Sequence, residues 1–245
     1  MDIIQTVNTL HYRRRGLEQT LEQALKDHPV VVLVGARQTG KTTLVQRLPS
    51  ASGRVFRSLD DMDVLELAKR RPEDLLGLGS KLSLDEVQRA PEILLAVKRD
   101  VDKRRQRGRF LLTGSASLLL MHKVSESLSG RAVYLHMQPF TCREKQGSGE
   151  VPPWSEVLAA DDPDHVLRAL DGVQPATVNW RREALIGGMP RSVLARSARE
   201  RAAWFEGYLR TYLERDLRDL SAVESLPDFR RLMSLAAERI GEPLN

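Results

Sequence analysis

A chain of 245 residues, 41% hydrophobic and 29% charged, has the composition of a globular protein and the length for one large domain, or for one of roughly 150 residues with a smaller one attached. Its apolar runs fall far short of the roughly 20 residues that cross a bilayer, and the single cysteine, Cys142, excludes an internal disulfide framework. The net charge of +5, carried mostly by arginine, permits contact with nucleic acid phosphates without requiring it.

Met1-Asp2-Ile3-Ile4-Gln5 has neither the basic region nor the long apolar segment of a signal peptide, so a cytoplasmic protein with no membrane partner is expected. His11 to Lys26 reads as an amphipathic helix with Leu17, Leu21 and Leu25 on one face. Val30 to Val34 is a continuous, mostly β-branched apolar run, the pattern of a strand buried on both faces of a parallel sheet. Gly35-Ala36-Arg37-Gln38-Thr39-Gly40-Lys41-Thr42-Thr43 comes next and matches G-x-x-x-x-G-K-[ST], with helical periodicity resuming at Leu44 and Leu48. This is a phosphate-binding loop. Gly35 and Gly40 permit backbone angles that turn consecutive N–H groups inward, and the helix opening at Gly40 to Thr42 favours an anion. Lys41 is then expected on the β- and γ-phosphates and Thr42 on Mg²⁺.

Arg54 to Leu59 reads as a second strand running into Asp60-Asp61, and Asp63 to Arg71 as a helix closed by Pro72. Leu82 to Glu86 is the third strand. An apolar strand that ends in Asp-Glu about 45 residues after the lysine suits a nucleotide hydrolase, with Asp85 near the metal and Glu86 polarising the attacking water. Pro91 to Arg107 is helical, with Pro91 in the first turn and Gly108 at the end. Arg109 to Thr113 forms a fourth strand, where the Thr113 hydroxyl can sense the γ-phosphate or the water; Ser115 or Ser117 can cap the helix that begins at Leu118. That helix runs to about Ser127, and Ala132 to His136 is the fifth strand. Arg131, just before it, is either an arginine finger for a neighbouring subunit or a structural salt bridge. Alternating strands and helices predict an α/β fold with a doubly wound parallel sheet and the nucleotide at the strands' carboxyl ends.

Gly147 to Pro153 reads as a linker, which divides the chain into a core over 1–146 and a helical region over 147–245. Short helices are expected over Trp154 to Ala160 and Pro163 to Leu170, a helix stop and turn over Ala184 to Pro190, and longer helices over Arg196 to Ser221 and Asp228 to Ile240. Gly241 and Asn245 look like a helix end and an unused cap, as in a truncated second domain. Arg13-Arg14-Arg15, Lys69-Arg70-Arg71 and Lys103 to Arg107 are basic clusters. They read first as solvated helix ends and second as contacts to nucleic acid.

Together, Gly35 to Leu44, Leu84-Asp85-Glu86-Val87-Gln88, Phe110 to Ser115, Leu128 to Arg131 and Gly187 to Pro190 resemble the AAA-type ATPases of bacteria and archaea that carry a C-terminal domain of unknown function. The resemblance implies a P-loop core of five parallel strands in order 5-1-4-3-2, flanked by helices and succeeded by a mainly α-helical region. It also implies ATP as the nucleotide and a Gly188-Met189-Pro190 turn against it, with Pro190 in the cofactor site beside the loop residues. No Asn-Lys-x-Asp guanine-reading motif occurs in the chain. Mg²⁺-dependent ATP hydrolysis coupled to a conformational or assembly change is therefore expected, and an ATP-gated regulator or DNA-binding adaptor with little turnover is the alternative. A homo-oligomer, and a DNA or protein partner reached through the basic clusters or a further C-terminal region, are the candidate assemblies.

Overall fold

The strand Val30–Gly35 (β1) is buried along its whole length, and its side chains alternate between two separate cores. Val30, Val32 and Val34 face one layer, with Leu82, Leu84, Phe110 and Leu112; Val31 and Leu33 face the other, with Leu111, Leu44 and Met137. Helices on both faces are what let five apolar residues stand in succession, each worth about 1.5–3 kcal/mol when fully buried. The structure is a computed structural model that describes residues 12–115, 128–147, 154–171, 178–211 and 225–240. The chain divides into two compact units, Met1–Leu194 and Ala195–Asn245.

In the first unit, β1 is joined by Val55–Ser58 (β2), Leu82–Asp85 (β3), Phe110–Ser115 (β4) and Ala132–His136 (β5). All pairings are parallel, in the order β2-β3-β4-β1-β5, the order the family likeness implies. Leu17–Asp27 (α1) and Lys41–Arg47 (α2) contribute Leu21, Leu25, Leu44 and Val45 to one core, while Met62–Arg70 (α3), Pro72–Leu76 (α4) and Ile93–Arg104 (α5) pack into the other. The chain leaves β1 for β2 on one side and hops from β4 over β1 to β5 on the other. The crevice at the carboxyl ends of β1 and β4 is therefore where such a sheet receives a ligand.

Local chemistry sets the ends of the elements. The Asp61 side chain accepts from the Asp63 and Val64 N–H groups and starts α3 one residue earlier than periodicity suggests. Pro72 does more than close that helix, since it is the first residue of α4. Helix α5 stops at Arg104 because Arg105 turns left-handed (φ 48°), three residues before the expected glycine. At the other end of the chain's first helix, residues 12–15 are not helical, and α1 begins only after Gly16.

After β5 come Cys142–Lys145 (α6), Trp154–Leu158 (α7), Pro163–Leu170 (α8), Trp180–Ile186 (α9) and Pro190–Val193 (α10), with Lys145 Nζ donating to Glu183 Oε2 at 2.6 Å. The second unit carries Ala198–Thr211 (α11) and Leu226–Glu238 (α12). On α11, Trp204 meets Phe205 and Tyr208 at ring distances of 4.8 and 5.2 Å. Ser117, the helix expected from Leu118 to Ser127, most of the linker, Tyr212 to Ser221 and Gly241 to Asn245 lie outside the described residues. Among the described residues, no helix is long and apolar enough to cross a membrane.

Candidate functional site

The turn from β1 to α2 is made by Gly35 to Thr43, and two backbone features shape it. Gly40 is left-handed, with φ 94° and ψ 23°, an angle that favours glycine. Gly35 is needed for space rather than for its angles, since a Cβ there would run into the carbonyl oxygen of Met137 in the segment after β5. Gln38 also has positive φ (62°), a strained value for a residue with a side chain. Ala36, Arg37 and Gln38 form the open crest of the loop, and Thr39 is its buried inner wall, with Oγ1 donating to Ala36 O at 2.9 Å. The Lys41 side chain is buried and curls into the loop, its Nζ donating to Gly35 O at 3.0 Å and to Ala36 O at 2.9 Å. Thr43 lies just beyond it on α2, partly buried.

Parallel pairing brings the ends of β3 and β4 beside this loop. Leu33 stands opposite Thr113 and Leu84 opposite Leu112, so Asp85 and Thr113 are lateral neighbours. Asp85 is buried, and both of its oxygens are occupied: Thr42 Oγ1 donates to Oδ2 at 2.8 Å, and Thr113 Oγ1 donates to Oδ1. Thr113 therefore touches the carboxylate, whereas its expected targets were phosphate or water. Glu86 turns left-handed (φ 58°, ψ 41°), which costs on the order of 1–3 kcal/mol for a non-glycine residue and ends the strand beside the loop. Its carboxylate accepts from Gln88 Nε2, while Gln88 Oε1 is buried with no hydrogen-bond partner among the described residues. Nearby, Arg89 Nη1 reaches Asp60 Oδ1 at 2.7 Å.

Two other expected site residues are held by contacts outside the loop itself. Arg131 sits just before β5, and because Val30 pairs with Ala132 it occupies the amino-terminal rim of the sheet. The length of β1 then separates it from its own loop. Its Nε and Nη2 donate to Asp102 at 2.6 and 3.0 Å, a bidentate pair that draws the carboxyl below its usual range. Pro190 opens α10 immediately after Gly188 and Met189, and Gly188 O accepts from Phe140 N at 2.7 Å. That contact holds the turn against the segment after β5, whose Met137 also flanks Gly35.

Arg15, grouped in the sequence with a solvated basic cluster, is buried instead. Its Nε donates to Glu144 Oε1 at 3.0 Å, Nη1 to Thr39 O at 3.0 Å and Nη2 to Gln138 O at 2.6 Å, and its Cζ lies 4.7 Å from the Phe140 ring centre. Glu144 completes a capping box with Thr141 and also accepts from Gly16 N at 2.8 Å. Burial pushes the Glu144 carboxyl up, but the Thr141 and Gly16 N–H groups and the Arg15 charge outweigh it and hold it below the ordinary glutamate range. A depressed carboxyl contributes stability that is complete above the unfolded value near about 4.3 and is lost as pH falls through the lower folded value. Thermal melts should therefore show Glu144→Gln less stable than the native chain at pH 7, with the gap closing below about pH 4. A gap that persists unchanged into acid would remove the charge from the explanation.

Residues 27–145 match the sequence profile of an AAA domain, and residues 177–245 match that of a domain of unknown function, DUF8612. Two proteins described as uncharacterized, one from Mycobacterium tuberculosis and one from Mycobacterium bovis, are each 32% identical over 237 residues, covering 96% of this chain and 47% of their own length. The chain thus spans about half the length of the curated relatives it matches. Among solved structures, a Walker-type ATPase of Pyrococcus abyssi aligns over 86% of this chain and 78% of its own, at 15% identity and a TM-score of 0.49. DnaA from Aquifex aeolicus bound to AMPPCP aligns over 82% of this chain and 64% of its own, at 16% identity and a TM-score of 0.41.

Proposed function

We propose, for a chain that belongs to the AAA-type P-loop NTPases and carries a C-terminal domain of unknown function, that it binds ATP with Mg²⁺ and hydrolyses it to ADP and phosphate. The observation that carries this reading is the 2.8 Å bond between Thr42 Oγ1 and Asp85 Oδ2, beside a lysine already folded into the loop. A hydroxyl and one carboxylate are hard oxygen donors of the kind Mg²⁺ takes when phosphates and water complete its shell. Bound there, the ion supplies charge neutralisation at the transferred phosphoryl group. Among the described residues no group of three or more His, Cys, Asp or Glu offers a fuller protein cage, so the donors fit a metal that arrives with its nucleotide.

Each residue then has a task. The amides of Gly35 to Thr43 cradle the phosphates, and Lys41 exchanges the Gly35 and Ala36 carbonyls for phosphate oxygens. Asp85, held from both sides, keeps the metal position, and Thr113 reports on it through the same carboxylate. Glu86 orients the attacking water and accepts its proton, with Gln88 fixing the carboxylate. Pro190 and its turn cover the nucleotide from the helical region. Hydrolysis in the core over 1–146 changes the contacts of the helical region over 147–245, and this change acts on a macromolecular partner. A finger role for Arg131 is confined to the site of another copy.

One observation favours a second reading, an ATP-gated regulator or adaptor with little turnover: the Glu86 carboxylate is engaged by Gln88. Steady-state phosphate release from ATP separates the two. Release in Mg²⁺ that disappears with EDTA is expected for the enzyme. Saturable ATP binding with no release would leave the regulator.

A further inference from the structure

The Arg15–Glu144 pair has a position that stability alone does not explain. Both side chains are almost wholly buried, and removing two charges from water consumes most of what their attraction returns. The acceptors Arg15 uses matter more. Thr39 O belongs to the peptide unit whose N–H is that of Gly40, and in a planar trans peptide the carbonyl and the N–H point in opposite directions. By holding the Thr39 carbonyl at 3.0 Å, Arg15 fixes the Gly40 N–H on the opposite side of that peptide. A left-handed Gly40 has wide backbone freedom, so this peptide is the one in the loop most in need of an external hold.

The same guanidinium holds Gln138 O, and its face covers the Phe140 ring. The Phe140 N–H in turn donates to Gly188 O in the turn that leads into Pro190. Glu144 braces the arrangement from the other side by accepting from Arg15, Gly16 and Thr141. The Arg15 guanidinium and Phe140 thus form a continuous line of contacts from the Thr39–Gly40 peptide to the base of the Gly188 turn. A lysine cannot replace that fork of donors.

We propose that Arg15, braced by Glu144, is a positioning residue for the phosphate loop, and that this pair is the joint through which occupancy of the loop is passed to the Gly188-Met189-Pro190 turn. The inference rests on the nucleotide-binding reading above. Linkage requires the coupling to run both ways: if nucleotide moves the joint, changing the joint must change nucleotide affinity.

The test uses the full chain with ATP and Mg²⁺ as the probe, comparing the native protein, Arg15→Lys and the double variant Arg15→Met/Glu144→Met by calorimetric titration, thermal melting and hydrogen exchange. The double variant leaves no buried charge unpaired, but it strips the Gly16 and Thr141 N–H groups and the Thr39 and Gln138 carbonyls of their partners, so it should still fold and should melt below the native chain. Its affinity for ATP is expected to fall about tenfold or more, the worth of the one hydrogen bond to an anionic phosphate oxygen that a misplaced Gly40 N–H would lose, and nucleotide should no longer protect residues 186–192 from exchange. A double variant that binds within twofold of the native chain would make the pair purely structural and overturn the proposal. Should it fail to fold, Arg15→Lys decides: weakened binding at an unchanged melting temperature supports the joint, and native affinity refutes it. A native chain that does not bind ATP at all would instead sink the nucleotide reading, and this inference with it.

Discussion

Lys41→Ala should bind ATP about 10- to 150-fold more weakly than the native chain, the worth of one or two charge-assisted hydrogen bonds, and should release no phosphate above background. The ammonium is buried in the loop, where it donates to Gly35 O and Ala36 O, which are neutral acceptors. An anionic phosphate oxygen is a stronger partner for the same group, so binding draws on an interaction that folding has already oriented. The fold should tolerate the change, because the hydrophobic face of α2 is Leu44 and Val45 and does not include the lysine. Isothermal titration with ATP and Mg²⁺, read beside a thermal melt, checks both halves. Undiminished affinity in Lys41→Ala would mean that the ammonium only fills the loop and that phosphate binds elsewhere.

The features legible in the sequence are those whose causes are local. The run from Val30 to Val34 announces a strand covered on both faces, and the glycine-lysine-threonine spacing announces the phosphate loop at its end. Asp85 is legible because a strand end has to deliver it, and the parallel register sets it beside Thr113 and within reach of Thr42. Gly35 is legible as a requirement with the wrong cause, since the neighbour that needs the space, Met137, lies far along the chain. The burial of Arg15 is hidden for the same reason. The two residues before it are also arginines, and only the tertiary packing of the segment after β5 takes one of the three out of solvent. Its partner leaves a trace, as Thr141 and Glu144 have capping-box spacing, but nothing in that spacing says which charge the glutamate meets. Gln88 stands in the strand-end motif, and its hold on Glu86 results from the left-handed turn at Glu86, which composition does not reveal. Arg131 carries two readings in the sequence; the salt bridge to Asp102 is present, and the finger reading concerns another copy.

Glu86→Gln should leave ATP affinity within about twofold of the native value and lower turnover by about 10²- to 10⁴-fold, the range general-base catalysis contributes. The substitution keeps the length of the side chain and the left-handed backbone, and a glutamine oxygen still accepts from Gln88 Nε2. It removes the basic site that takes the proton from water, so the loss falls on the chemical step and spares the ground state. Single-turnover phosphate release together with equilibrium titration separates the two quantities. The result also bears on the engaged state of Glu86. If the native chain turns over slowly and Glu86→Gln is no slower, the carboxylate held by Gln88 takes no part in catalysis, and the chain is better understood as an ATP-dependent switch. If turnover collapses while binding stands, the Glu86 carboxylate is the base, and the strained backbone at Glu86 is the cost of placing it at the end of β3, beside Asp85 and the phosphate loop.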